Sequence, residues 1–202
     1  MTQQDLFAAE SLLPGGLVHV PRFLDEAEEA RLIEGIAALD LREAKYKEYT
    51  AKRRVAAFGA GYDYDENELM PAPAIAPFLL PLRARLAALA GVAPDEFGYA
   101  LVAEYRPGTQ LGWHRDVPQF EVVAGVSLLG AATMRFRRYP SRGDGPPRGR
   151  DRRHRRILTL PLAPRSAYVL RDEARWGWQH SIAPTPALRY SITFRTRRVI
   201  PA

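Results

Sequence analysis

The sequence predicts a mainly β protein in which a jelly-roll core follows an N-terminal extension that carries helices. Three observations point there. After Gly91 the chain breaks into short β-type segments separated by turn residues, with no alternation of strand and helix. Before Gly91, two stretches place apolar residues at helical spacing. A length of 202 residues suits one integrated unit with a full core better than two independent domains. The expected division is an extension over residues 1–91 and a core over 92–202, packed as one globular body.

In chain order, Gly16 to Val20 reads as a short extended segment, and Asp25-Glu-Ala-Glu-Glu opens an apolar-periodic run through Ile33, Ile36 and Leu39. Acidic residues in a first turn suit the positive end of a helix. A second helix is expected over Ile75 to Ala90, with Pro77 and Pro81 in its first turns, where a missing N–H costs little. Tyr46 to Met70 lacks long apolar runs and reads as a loop with short strands. The strands expected thereafter are Gly98–Tyr105, Glu121–Leu128, Thr133–Arg138, Ile157–Leu160, Ala167–Leu170 and Arg189–Arg197.

Composition narrows the chemistry. No apolar stretch is long enough to span a membrane as a helix, and the N-terminus lacks a basic start followed by an apolar run, so a cytoplasmic protein with no membrane partner is expected. Nothing suggests an obligate protein partner. With no cysteine, a metal must be held by nitrogen and oxygen ligands. The net charge of +6 and pI near 9.8 favour polyanions such as nucleic acid. Much of the excess lies between Arg137 and Arg156, where Arg148 to Arg156 could grip a phosphate backbone or simply form a solvated loop.

Of the four histidines, His19 sits in an apolar segment as a structural residue would, and His154 lies among arginines that oppose a metal cation. That leaves His114 and His180. In an extended segment, positions i and i+2 face the same way, so His114 and Asp116 can converge on one ion, with His180 as third ligand. Two imidazoles and a carboxylate leave three octahedral positions open, the arrangement of non-haem iron(II) oxygenases. A His-x-Asp can also do no more than support a loop.

The last strand, Leu188-Arg-Tyr-Ser-Ile-Thr-Phe-Arg195, puts Arg189, Ser191, Thr193 and Arg195 on one face. The arginine backbones lie about 20 Å apart at the usual strand rise, a gap that two extended side chains and a five-carbon diacid could span. The guanidinium fork suits carboxylate. The alternative is that both arginines point to solvent from an edge strand.

Taken together, Tyr105-Arg-Pro-Gly, His114-Arg-Asp116, His180 and Arg189-Tyr-Ser-Ile-Thr-Phe-Arg195 occur in an order that resembles the AlkB-type iron(II)/2-oxoglutarate dioxygenases. The resemblance covers Tyr99 to Arg197. It implies a double-stranded β-helix core with an N-terminal nucleotide-recognition lid. It also implies Fe(II), 2-oxoglutarate and dioxygen as the reacting set, with iron on His114, Asp116 and His180 and 2-oxoglutarate against Tyr105, Arg189, Thr193 and Arg195. Members of the family oxidise N-linked methyl groups that leave as formaldehyde, and many repair alkylated DNA or RNA bases.

Lys52-Arg-Arg-Val-Ala-Ala-Phe-Gly59 and Tyr62-Asp-Tyr64 partly resemble that lid, which makes Arg54, Phe58, Tyr62 and Tyr64 candidates for substrate contact. Equally, the aromatics could pack a loop onto the core. Two departures stand out. Ala103 replaces the asparagine usual two residues before the motif tyrosine, and Asp116-Val-Pro118 lacks the acidic residue that commonly follows. The expected activity is oxidative demethylation of alkylated bases. The alternatives are a hydroxylase or demethylase of proteins or small molecules on the same core, and a non-enzymatic nucleic-acid-binding protein.

Overall fold

The structure, a computed structural model, describes residues 13–46, 49–63, 68–139 and 157–199. The segment Arg148 to Arg156, with His154 inside it, lies outside the described residues, as does Tyr64. The first half contains β1 (Leu17–Val20), α1 (Glu26–Ala37), β2 (Arg42–Tyr46), β3 (Tyr49–Phe58), a hairpin of β4 (Ala60–Asp63) and β5 (Glu68–Pro71), and α2 (Leu80–Ala90). The second contains β6 (Tyr99–Tyr105), β7 (Leu111–His114), β8 (Phe120–Leu129), β9 (Ala132–Arg138), β10 (Leu158–Leu162), β11 (Ala167–Leu170), α3 (Asp172–Trp176), β12 (Trp178–Ile182) and β13 (Arg189–Arg197).

Local chemistry accounts for the helices. Asp25 accepts from the backbone N–H of Glu28 while Glu28 accepts from that of Asp25, a reciprocal cap that starts α1 and lets it bury Leu32 and Ile36. A single 3₁₀ turn over Pro77–Leu79 feeds α2, and Gly91 ends it at φ +69°, a left-handed conformation that glycine adopts without a Cβ penalty.

The strands form a seven-stranded sheet in the order β1-β11-β8-β13-β6-β3-β2 and a four-stranded sheet in the order β10-β9-β12-β7, all antiparallel, which is the jelly roll expected. Strands of the first 91 residues thus join the same sheet as those of the core. One face of the large sheet packs Ala100, Val102, Ala124, Val126, Ile192 and Phe194 against α1 and α2; the other packs Tyr105, Val123, Tyr168 and Leu170 against Met134, Phe136, Leu160 and Ile182 of the small sheet. With both faces covered, β8 is buried almost throughout, which is why its sequence is nearly continuously apolar. The segment after Tyr46, expected to be a loop with short strands, holds one longer strand. β3 runs ten residues in the large sheet, because Val55, Ala56 and Ala57 offer small apolar side chains beside β6 and because Glu104 accepts two hydrogen bonds from Arg54.

Glu29 ties α1 to the sheet. Buried at 7% exposure, it accepts from the backbone N–H of Leu129 at 2.8 Å and from Arg165 at 2.9 Å. Both partners sit in left-handed conformations, φ 63° and 67°, where non-glycine backbones are strained. No helix among the described residues is long and apolar enough to cross a membrane.

Candidate metal and co-substrate site

The metal-ligand geometry is built on the small sheet. His114 on β7 and His180 on β12 are cross-strand partners, with ring centroids 4.3 Å apart. Asp116, just past the end of β7, brings Oδ2 to 3.6 Å from His180 Nε2. One ligand atom from each of the three lies within 4.8 Å of the others, close enough to share one ion. His114 Nδ1 is 2.9 Å from the carbonyl of Gly112, which fixes the ring and leaves Nε2 for a metal. Burial pushes His180 down to about 3, a proton on the neighbouring His114 would oppose a second one here, and burial lowers His114 as well; both imidazoles are therefore neutral. Burial alone would raise Asp116, but the fields of Arg195, the histidines and Arg175 outweigh it and hold the carboxyl well below its usual range, ionised. Two neutral imidazoles and a carboxylate on one side suit Fe(II).

Two arginines organise this carboxylate, and the sequence pattern points to neither in that role. Arg195 donates from Nε to Asp116 Oδ1 at 2.9 Å and from Nη1 to Thr193 Oγ1 at 3.0 Å. It is therefore bonded to a metal ligand, and does not simply face Arg189 across a ligand as the strand pattern suggested. Arg175, at 2% exposure, donates from one nitrogen to the carbonyls of Asp116, Val117 and Phe120, which pins the loop that carries Asp116. No periodicity marks Arg175 in the sequence; an arginine five residues before His180 would have drawn notice only from its place in a short buried helix.

Arg189 is different. It is 1% exposed, donates from Nε to Ser127 Oγ at 2.8 Å, stands 4.9 Å over the ring of Tyr105, and has a buried Nη1 with no hydrogen-bond partner among the described residues. A buried cation with an unmatched donor is costly unless an anion meets it. Tyr105, Ser127 and Ser191 share the face and line the same slot. The residues present fit a carboxylate-bearing co-substrate.

The lid candidates separate. Arg54 pairs with Glu104 on the helix-covered face of the sheet, and Phe58 is 7% exposed inside the helix-packed core, so neither faces the metal site. Tyr62 lies on β4. Arg53, one residue away and so on the opposite face of β3, was not singled out; its charge acts on His114, and its buried Nε has no partner among the described residues. The arginine singled out from the sequence, Arg54, is the one turned away from the metal site, because alternation fixes which two residues share a face, not which face is inside. His19 also departs from expectation, with Nε2 buried and lacking a partner among the described residues. Of the tryptophans near the ligands, Trp178 is buried, Trp176 donates to Glu121, and Trp113 turns to the outer face of the small sheet, under Arg135 and Arg137.

A jelly roll with this triad beside a buried arginine slot is the framework of 2-oxoglutarate oxygenases, and the chain belongs to the 2OG-Fe(II) oxygenase superfamily, whose family model matches residues 16–195. The family works with Fe(II), 2-oxoglutarate and dioxygen. Within it the chain is similar to proteins named as AlkB homologues. It is 31% identical over 192 residues to the Alkylated DNA repair protein ALKBH8 homolog of Arabidopsis thaliana, covering 88% of this chain and 53% of that protein. It is also 30% identical over 115 residues to the Uncharacterized protein L905 of Acanthamoeba polyphaga mimivirus, covering 50% of this chain and 48% of that one. The chain thus spans about half the length of the curated relatives it matches. Its fold is similar to that in the structure of OsALKBH1, with a TM-score of 0.64 over 91% of this chain and 99% of the other at 14% identity.

Proposed function

We propose that this chain is an Fe(II)- and 2-oxoglutarate-dependent dioxygenase that removes alkyl groups from bases in DNA or RNA by oxidation. The observation that carries the reading is the convergence of His114, Asp116 and His180 within 4.8 Å, on the inner face that also holds Arg189. In this reading the three side chains hold the iron, Arg195 and Arg175 orient the carboxylate ligand, and Tyr105, Arg189, Thr193 and Arg195 frame the co-substrate. Iron with 2-oxoglutarate and dioxygen supplies the oxidation of an N-methyl group to a carbinol that departs as formaldehyde, with succinate and carbon dioxide as co-products. Nucleic acid as substrate is supported by Arg53, whose Nε has no partner among the described residues and whose charge acts on His114, by the net charge of +6, and by the name of the Arabidopsis relative.

Incubation with Fe(II), 2-oxoglutarate and methylated DNA and RNA oligonucleotides should release formaldehyde and succinate in equal amounts, both abolished by His114→Ala. Succinate formation stimulated by peptides or small amines but by no oligonucleotide would instead make proteins or small molecules the substrate. Salt-sensitive oligonucleotide binding, indifferent to His114→Ala and without turnover on any substrate, would leave a nucleic-acid-binding protein.

A further inference from the structure

We infer that the outer face of the small sheet binds the phosphate backbone of a nucleic-acid strand, through Arg135 and Arg137 stacked over Trp113. This role rests on nucleic acid being the substrate, and adds a contact outside the metal site.

The pleat assigns the residues. On β9, Ala132, Met134 and Phe136 are buried between the sheets, so Thr133, Arg135 and Arg137 point the other way. On β12, Trp178, His180 and Ile182 face inward, while Gln179 and Ser181 turn outward as the cross-strand partners of Arg137 and Arg135. Between Leu111 and His114, two residues of β7, Gly112 and Trp113, oppose the single Ser181 of β12. That bulge keeps Leu111 and His114 on the inner side and sets Trp113 on the outer one.

Each guanidinium is aimed by its Nε. Arg135 donates to Ser181 Oγ at 3.1 Å and Arg137 to Gln179 Oε1 at 2.8 Å, and their Cζ atoms stand 5.3 and 4.6 Å from the centre of the Trp113 ring. Their Nη nitrogens have no hydrogen-bond partner among the described residues. The next residue differs, because Arg138 pairs with Glu173 at 3.1 Å. Serine and glutamine fix the direction of the two cations without cancelling their charge, and at about 7 Å apart along one strand the cations repel each other. An anion removes that repulsion. The other side chains of this face, Thr133, Thr159 and Pro161, are exposed and uncharged, so no acidic group there opposes a polyanion. Arginines held by neutral partners and backed by an aromatic ring suit phosphodiesters and the bases beside them.

Continuity with the metal ligands selects nucleic acid over an acidic protein. β7 is the rim strand of the small sheet, and its consecutive residues Trp113 and His114 face opposite sides of it. A strand with one nucleotide at the metal can therefore cross the rim and lay flanking phosphates on Arg135 and Arg137. An acidic protein segment has no such anchor.

The test compares two double variants of the Fe(II)-loaded chain. Arg135→Gln with Arg137→Gln keeps both stems over Trp113 and removes the charges, whereas Arg135→Lys with Arg137→Lys retains them. Fluorescence anisotropy follows binding of an unmethylated single-stranded oligonucleotide as salt is raised. The glutamine pair should lower the slope of log affinity against log salt by about 1.4, at about 0.7 for each lost phosphate contact, and the lysine pair should keep the parent slope. An unchanged slope in the glutamine pair would overturn the inference and leave the substrate reading standing. Loss of the slope in the lysine pair as well would make both arginines structural, and tighter binding of polyglutamate than of the oligonucleotide would give the face to an acidic protein; either overturns the inference. Failure of the parent to bind any oligonucleotide would instead remove the substrate reading, and this surface with it.

Discussion

Arg195 Nε donates to Asp116 Oδ1 at 2.9 Å, joining the last strand of the large sheet to the carboxylate that faces two imidazoles on the small one. Both side chains are largely buried, so the pair is well screened from solvent. The sheet that carries Arg189 therefore also sets the aim of the Asp116 carboxylate.

Arg195→Lys keeps the charge but loses the fork that reaches Asp116 and Thr193 together. Groups that orient metal ligands are typically worth about 10–100-fold in affinity. Competition for Fe(II) or Co(II) against a chelator of known strength should show a loss of about tenfold, with an unchanged circular dichroism spectrum. Affinity equal to that of the parent would mean that Asp116 is held by its loop alone.

The metal-free protein should lose stability in mild acid. Burial above all holds His180 at about 3, against an ordinary value of 6.5. Between those two values the unfolded chain binds a proton that the folded one refuses, so stability falls as pH drops through this window and is fully present above it. Thermal melts in chelator should shift downward between pH 7 and pH 5, and the shift should shrink in His180→Gln. A midpoint flat over that range would contradict a buried neutral imidazole.

Glu29→Ala removes the acceptor shared by the backbone of Leu129 and the guanidinium of Arg165. Loss of a buried charged acceptor is worth about 2–4 kcal/mol. Urea unfolding should register that loss, while metal binding at the far side of the large sheet stays as it was.

Arg53 and Arg54 should part company when each is replaced by alanine. Arg54→Ala removes the two strongest hydrogen bonds to the buried carboxylate of Glu104, which Arg54 holds below its ordinary range, leaving Arg106 and Tyr190 as its donors, and should lower the melting temperature. Arg53→Ala removes a cation from the inner face and should weaken oligonucleotide turnover with little change in melting. The reverse pattern would place the substrate on the other side of β3.

Much of this was legible from residue order. The acidic first turn of α1, the proline-led start of α2, the core strands β6, β8, β9, β10, β11 and β13, and the convergence of His114, Asp116 and His180 follow from local rules that tertiary contacts did not override. What escaped were relationships that exist only once strands are paired. The bond from Arg195 to Asp116, the bonds of Arg175 to three carbonyls and the stacking of Arg135 and Arg137 over Trp113 join residues far apart in sequence, whose types alone do not announce them. The arginines of β3 break its apolar pattern, so the sequence shows only a loop with short strands there, and Glu104, the partner that satisfies Arg54, lies fifty residues on.

β7 is a four-residue strand at the rim of the small sheet, and it meets β12 through His114 opposite His180. Slippage of β7 by one residue along β12 would turn His114 outward, to the side that Trp113 now faces. An ion gripped by both imidazoles rivets this rim strand in place, and an open rim is where β-proteins stick to one another. Iron loading and resistance to self-association are thereby coupled, a link that light scattering of loaded and chelated protein at equal concentration would reveal.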